Sequence, residues 1–150
     1  MGKYQFQLES VLSYRESLVD AREVDLATAV KAQSQAEDVL GLLQREQAMA
    51  MVDVREQRLA AHLDVLTLCV AESYLARLES QIAHQAAVVQ ELAQQTETCR
   101  TALNEALKEK KKVERLKEKE AQAYAQEEAR VEQVQADDLN TVRYNRRKVV

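Results

Sequence analysis

The sequence has almost none of the residues that turns require. Its 150 residues include no proline and two glycines, Gly2 and Gly41. Sheets, barrels and sandwiches use glycine and proline in hairpins and tight turns, so this scarcity excludes most β architectures. Tryptophan is absent and Phe6 is the single phenylalanine, which excludes a thick aromatic core.

Strong helix formers fill the chain instead. Charged residues make up 31% of the sequence, and alanine, leucine and glutamine are abundant. These residue types carry little cost in a helix, whereas an interior proline costs about 3 kcal/mol. The composition therefore predicts an all-α protein with long, uninterrupted helices.

The net charge and the cysteine content limit which partners and which cellular compartment are expected. The chain has 21 bases and 25 acids, net −4, which gives no general attraction to nucleic acid or anionic membrane. Cys69 and Cys99 stand alone without a secretory segment, so we expect free thiols in a reducing cytosol. The longest nearly apolar run, residues 65–71, is far shorter than the roughly 20 residues of a membrane span. We expect a cytoplasmic protein without direct membrane insertion.

The first third of the chain has a heptad pattern. Apolar residues recur at alternating steps of four and three, and the polar exceptions have long methylene stems that can lie along a seam. The pattern predicts a coiled-coil seam of about seven repeats. Its positions are Leu8, Leu12, Arg15, Val19, Arg22, Leu26, Ala29, Gln33, Ala36, Leu40, Leu43, Gln47, Ala50 and Val54.

A second seam occupies the later part of the chain. It is rich in alanine and polar residues, so the coiled coil should hold together less tightly than one built on leucine and isoleucine. Its clear positions are Val89, Leu92, Thr96, Cys99, Leu103, Ala106, Lys110 and Val113, with Leu116, Tyr124, Val131 and Val134 as later anchors.

Two seams separated by a different composition favour a single-domain, antiparallel two-helix coiled-coil hairpin. We expect helix one at about residues 4–57, a reversal at 58–66, helix two at about 67–143 and a frayed basic tail. Asp64 is placed to cap the second helix, and His62 to lie near the C-terminus of the first. Two alternatives to this hairpin are also compatible with the sequence. The first helix could break earlier, at Gly41 or at the capping-box spacing of residues 53–56, and the chain could form a homodimer of longer helices.

Catalytic and metal-binding patterns are missing from the sequence. No glycine-rich phosphate loop is present. The soft-metal candidates His62, Cys69, His84 and Cys99 are spaced so that no two fall on adjacent helical turns. We therefore expect no enzymatic activity, no cofactor and no metal.

Two basic clusters are candidate contact surfaces. Residues 108–120 hold seven bases and four acids, which is typical of a solvated, salt-bridged helix face. The alternative is an electropositive stripe that meets an acidic protein, or lipid headgroups in a coiled-coil scaffold dimer. Interleaved acids and the lack of aromatic residues nearby argue against nucleic acid. Arg143, Arg146, Arg147 and Lys148 form the second cluster.

One further stripe lies between the two clear seams. At helical spacing Tyr74, Leu78, Gln81, Ile82 and Gln85 fall on one face. This face either docks another protein or lies against the connecting region between the helices.

The two ends of the chain carry a resemblance to a known family. The opening motifs are Phe6-Gln-Leu8, Val11-Leu12 and Tyr14-Arg15-Glu16, and they are followed after about ninety residues by the basic segment and an acidic helix ending at Asp137-Asp138. With the total length, these motifs resemble the FliJ family of flagellar type III export proteins.

The resemblance implies an antiparallel coiled coil similar to the central stalk (gamma) subunit of rotary ATP synthases. One end would insert into the hexameric ring of the flagellar export ATPase, the turn end would reach the cytoplasmic domain of the export gate, and export chaperones would also bind. The protein would work in the cytoplasm, peripherally associated with the inner membrane at the flagellar base. The equivalent stalk of a virulence type III secretion system is an alternative.

Site residues follow by the same analogy. The family pattern has a small residue where Gln81 stands and a histidine where Gln85 stands. Because this chain departs from the pattern at both positions, we expect the gate contact to depend most on Tyr74 and Leu78. The expected gate residues are Tyr74, Leu78, Gln81, Ile82 and Gln85, and the expected ring residues are Phe6, Leu8, Leu12, Arg15, Arg143, Arg146 and Arg147.

Overall fold

The computed structural model describes the backbone of residues 4–148 and the side chains of residues 4–146. It contains two helices, α1 (Glu9–Leu59) and α2 (Val65–Lys148), and no strand within that range. The helices pack against each other as a hairpin, so the predicted all-α hairpin is confirmed and the homodimer of longer helices is not needed to cover the seams.

Residues 60–64 connect the two helices, inside the interval where the sequence places the reversal. The Asp64 carboxylate accepts hydrogen bonds from the backbone N–H groups of Leu66 (3.1 Å) and Thr67 (3.4 Å) and from the Thr67 hydroxyl (2.6 Å). It therefore satisfies donors that the first turn of α2 leaves without helical partners. The predicted cap is confirmed.

The helix ends differ from the expected ones. Residues 4–8 precede α1, which begins at Glu9, and α2 continues to Lys148, beyond the expected end at 143. The alternative of an earlier break is wrong. Gly41 lies inside α1 without a positive φ, and residues 53–56 are also within α1. One glycine inside a helix destabilises it by about 1 kcal/mol, which is too little to end a helix that also packs along its seam.

Burial follows the first predicted seam closely. Leu12, Val19, Ala36, Ala50 and Val54 are buried, and the seam positions between them are half-buried except Arg22. Thr96 and Ala106 are buried in α2, where the Thr96 hydroxyl donates to the Leu92 carbonyl (3.0 Å). The buried Thr96 hydroxyl is therefore satisfied within its own helix.

The α2 seam begins earlier than the sequence suggested. Leu78 is 2% exposed, the most completely buried side chain of its size, and Leu75 and Ile82 are half-buried. The hairpin divides into two units, one formed by residues 21–104 and the other by residues 1–20 with 105–150. Each unit carries one of the candidate interaction surfaces.

Candidate interaction surfaces

In the unit of residues 21–104, the predicted gate stripe is divided between two faces. Leu78 is buried and Ile82 half-buried in the seam, and the Gln85 amide donates to the Ala36 carbonyl of α1 (2.9 Å). Tyr74 and Gln81 lie on the exposed side. The five residues therefore do not form one outward face, because three of them serve the contact between α1 and α2.

Tyr74 is exposed but held in place. Its side chain is 41% exposed and its hydroxyl donates to the Glu46 carboxylate of α1. This hydrogen bond is the largest cause that raises the pKa of Tyr74 above 10.0, because the charged partner favours the protonated phenol. The ring is thus partly exposed to solvent, while its hydroxyl is hydrogen-bonded to α1.

Sequence reasoning missed an apolar surface at the hairpin turn. Leu59 and Leu66 are 77% and 76% exposed, and Leu63, Val65 and Val70 are also exposed. An open groove of about 440 Å³ lies next to this surface, lined by Met51, Val54, Arg55, Arg58, Leu59 and Leu75. The sequence signal for this surface is the near-apolar run of residues 65–71. No helix within the described residues is long and apolar enough to cross a membrane.

In the other unit, the segment before α1 is anchored on α2. Phe6 is 5% exposed, and the Lys117 ammonium lies 5.8 Å from its ring centroid while donating to the Glu9 carboxylate (2.7 Å). Tyr4 donates to the Lys117 carbonyl (3.4 Å), and its ring centroid lies 5.5 Å from that of Tyr124. A cation over an aromatic face and paired rings both stabilise such a contact.

The predicted ring residues fall into two places in this unit. Phe6 and Leu12 are buried, Leu8 is 37% exposed, and Arg15 is half-buried with no hydrogen-bond partner for its Nε within the described part of the chain. Arg143 and Arg146 are exposed on the part of α2 that follows Tyr124, roughly 30 Å further along the helix axis. The side chain of Arg147 lies outside the described residues.

The segment of residues 108–120 is a face of ion pairs. Lys112 donates to Glu109 (2.5 Å), Lys110 lies 3.6 Å from Glu114, and Lys117 binds Glu9. The hydrogen bond from Lys112 is the largest cause that lowers the pKa of Glu109. Since these acids neutralise half of the segment's lysines, the solvated-face interpretation fits better than an open electropositive stripe.

The part of the chain that the structure describes contains no candidate metal site. Among the described residues, no group of three or more histidine, cysteine, aspartate or glutamate side chains is placed to hold an ion. Cys69 is exposed and Cys99 half-buried, both as free thiols.

Comparison with known proteins decides the family. The FliJ family, described as flagellar FliJ protein, matches the chain over residues 4–149. The chain belongs to the FliJ family. The assignment expected from the end motifs is therefore confirmed, and it associates this FliJ-family protein with type III export. No curated protein sequence matches the chain as a relative.

A solved structure shares the fold of this FliJ-family protein. It is that of CT670 from Chlamydia trachomatis, described as a YscO homolog, with a TM-score of 0.72 and 19% sequence identity. The similarity covers 97% of this chain and 98% of that one. At this identity the comparison shows a common fold along the whole length of both chains.

Proposed function

We propose that this FliJ-family protein is a non-enzymatic stalk of the flagellar type III export apparatus. In this proposal the unit that contains both chain ends inserts into the ring of the export ATPase and promotes its assembly and activity. The unit that contains the turn reaches the cytoplasmic domain of the export gate, and export chaperones bind along the coiled coil. The protein would lie at the cytoplasmic face of the inner membrane, at the flagellar base.

The observation that carries the proposal is the stretch of α2 from residue 132 to residue 146, in which every side chain is exposed. After Tyr124 the helix continues to Lys148, and Arg143, Arg146 and large apolar side chains on it are exposed. A single helix gains most of its stability from contact with another surface, so an unpartnered helical segment with basic and apolar side chains fits insertion into a protein ring.

The ring residues then have two roles. Leu8, Arg143 and Arg146 are exposed and are proposed to touch the ATPase, with Arg147 next to them in sequence. Phe6, Leu12 and Arg15 line the contact of the chain's start with α2, so they would position this end of the stalk.

A binding assay tests the ring contact. Purified protein is mixed with the export ATPase, and ATP turnover and co-migration are measured. The double variant Arg143→Ala/Arg146→Ala should lose both effects, whereas Arg100→Ala, an exposed arginine in the other unit, should retain them. Equal binding by both variants, or no effect of the wild-type protein on the ATPase, would refute the proposal.

A parallel assay tests the gate contact. Tyr74→Ala and Gln81→Ala remove exposed side chains and should weaken binding to the cytoplasmic domain of the gate. Tyr14→Ala removes a tyrosine that is 63% exposed in the other unit and should bind as the wild type does. If all three variants bind equally, the gate surface lies elsewhere, and the apolar surface of Leu59, Leu63 and Leu66 at the turn is the next one to mutate.

The stalk of a virulence secretion system is the second candidate. The fold shared with a YscO homolog favours it, while the family match favours the flagellar system. Genes beside the one that encodes this chain separate the two: flagellar neighbours support the first candidate and injectisome neighbours the second. The scaffold that binds lipid headgroups is less favoured, because half of the lysines in residues 108–120 are paired with Glu109, Glu114 and Glu9.

A further inference from the structure

The part of α2 that follows Tyr124 has a charge pattern that changes sign along the helix. Its first half, residues 125–138, contains five acids and one base, and residues 139–148 contain four bases and no acid. Every described side chain from residue 132 to residue 146 is exposed. No described part of this chain therefore covers this stretch.

Four of these charges share one flank of the helix. At 3.6 residues per turn, Glu128, Glu132, Arg143 and Arg146 fall within an arc of about 60°. The acids and the bases are too far apart to pair with each other, since residues 132 and 143 are separated by about 16 Å along the axis. None of the four makes an ion pair within the described part of the chain. Arg130 pairs with Glu127 instead (2.7 Å).

Apolar side chains lie next to this flank. Val131 is half-buried, and Val134, Leu139 and Val142 are 49%, 61% and 51% exposed. Val131 and Val142 are nearly aligned on the helix, with Leu139 on the side of the four charges and Val134 on the other side. They form a short apolar line with a charged edge, which is the arrangement of a coiled-coil seam.

We propose that this stretch of α2 binds the same stretch of a second copy of the chain in antiparallel orientation. In an isologous pair, a residue i that contacts residue j of the partner is matched by j contacting i. Placing Val131 opposite Val142 of the second copy brings Glu128 to within about one residue of Arg146 along the axis and Glu132 to within about two residues of Arg143. These offsets, roughly 1.5 and 3 Å, are short enough for the long side chains to span. The two-fold symmetry repeats both contacts, so four ion pairs flank the apolar line.

Charge complementarity favours a second copy of the chain as the partner and an antiparallel orientation of the two helices. In a parallel pair this flank would face the opposite flank of the partner, so Glu128 would not meet Arg146 and Glu132 would not meet Arg143. Asp138 lies on the apolar line near the two-fold axis, where burial of a carboxylate is costly. The contact spans about 27 Å of helix, so its area belongs with small, transient interfaces. The dimer is therefore weak, reversible and weakened by salt.

This dimer differs from a homodimer of longer helices, because each copy keeps its own hairpin. It also does not depend on the proposed stalk function. It covers Arg143 and Arg146, so an ATPase ring that used these residues would compete with self-association.

Charge reversal tests the register. One double variant, Glu128→Arg/Glu132→Arg, makes all four positions basic, and the other, Arg143→Glu/Arg146→Glu, makes them all acidic. Sedimentation equilibrium of the wild-type chain at low salt, from about 10 μM to 1 mM, should show a mass rising from 17.0 kDa toward twice that value. Each variant alone should self-associate at least about tenfold more weakly, and an equimolar mixture should form the dimer again.

A matched control separates the register from net charge. Glu79→Arg/Glu91→Arg changes the net charge by the same amount at two exposed positions of the other unit and should leave self-association within about twofold of the wild type. Circular dichroism verifies that every variant remains helical. A wild-type chain that stays monomeric at the highest concentration overturns the proposal, as does a mixture that associates no better than its components, or a control that weakens association as much as the reversals do.

Discussion

The Lys117 ammonium donates to the Glu9 carboxylate over 2.7 Å and so ties the first turn of α1 to α2 at a point well before the end of α2. About 45 Å of α2 remains beyond Lys117. The described residues before α1, which start at Tyr4, contact the beginning of this length through the rings of Tyr4 and Tyr124. The Lys117–Glu9 pair therefore marks the point along α2 at which α1 begins to lie against it.

Alkaline pH should release the segment before α1. The hydrogen bond to Glu9 is the largest cause that raises the pKa of Lys117 above 10.5, and burial, followed by Glu120, raises the pKa of Tyr4 above 10.0. When the pKa of a group is higher in the folded state than in the unfolded state, the group stabilises the fold fully at any pH below its unfolded-state pKa. This stabilisation is lost as the pH rises through the folded-state pKa. Both groups therefore favour release above about pH 10.

Phe6 reports on this release because it is the single phenylalanine. Fluorophenylalanine incorporated there should change its ¹⁹F chemical shift between about pH 10 and 11.5 while the helix content is retained. Tyr14→Phe removes an exposed phenol and should leave the transition in place. A shift that stays constant over this range while the helices remain intact would contradict the prediction.

Gly41→Ala should stabilise the protein. A Cβ at this position would meet only the Arg45 guanidinium, at 3.8 Å, which is ordinary contact. Replacing glycine by alanine inside a helix typically adds about 0.5–1 kcal/mol. Urea unfolding measures the change in the free energy of unfolding, and Ala48→Gly, at an exposed position of α1, should produce a loss of similar size. Destabilisation by Gly41→Ala would mean that the helix requires glycine there.

Leu78→Ala should destabilise the hairpin strongly. The side chain is 2% exposed, and removal of a buried leucine side chain costs about 2–5 kcal/mol. Leu66→Ala makes the same chemical change at a side chain that is 76% exposed, and it should alter the free energy of unfolding by no more than about 0.5 kcal/mol. Thermal unfolding followed by circular dichroism compares the two, and equal effects would argue against burial of Leu78 in the seam.

Asp64→Ala should lower the melting temperature by a few degrees, because it removes the acceptor for the first N–H groups of α2. The Thr67 hydroxyl is the largest cause that lowers the pKa of Asp64 below 3.8, followed by the backbone N–H of Thr67. Because the pKa of Asp64 is lower in the folded state, the cap stabilises the fold fully at any pH above the unfolded-state pKa. This stabilisation is lost as the pH falls through the folded-state pKa. Asp64→Asn does not titrate, so its melting temperature relative to the wild type should rise below about pH 4. A constant difference between the two from pH 7 to pH 2 would contradict the prediction.

Much of the fold could be read from the chain because heptad spacing is a local property. Leu12, Val19, Ala36 and Val54 recur at steps that keep them on one side of any helix, and burial follows. Asp64 was recognisable as a cap because capping depends on the next three residues. The surroundings of the stripe from Tyr74 to Gln85 could not be predicted in the same way, because helical spacing places residues on one face without indicating which other helix contacts that face.

The sequence by itself determined that the chain is helical, where its seams run and where it reverses, because propensity, period and capping act over a few residues. Tertiary structure decided the register between segments far apart in the chain. It placed Phe6 beneath Lys117, turned Leu78 toward α1 and Tyr74 toward solvent, and let α2 continue beyond the start of α1. The physical reason is that a heptad repeat specifies which residues line a seam, while the residue opposite each one depends on the turn and on side-chain contacts summed along both helices.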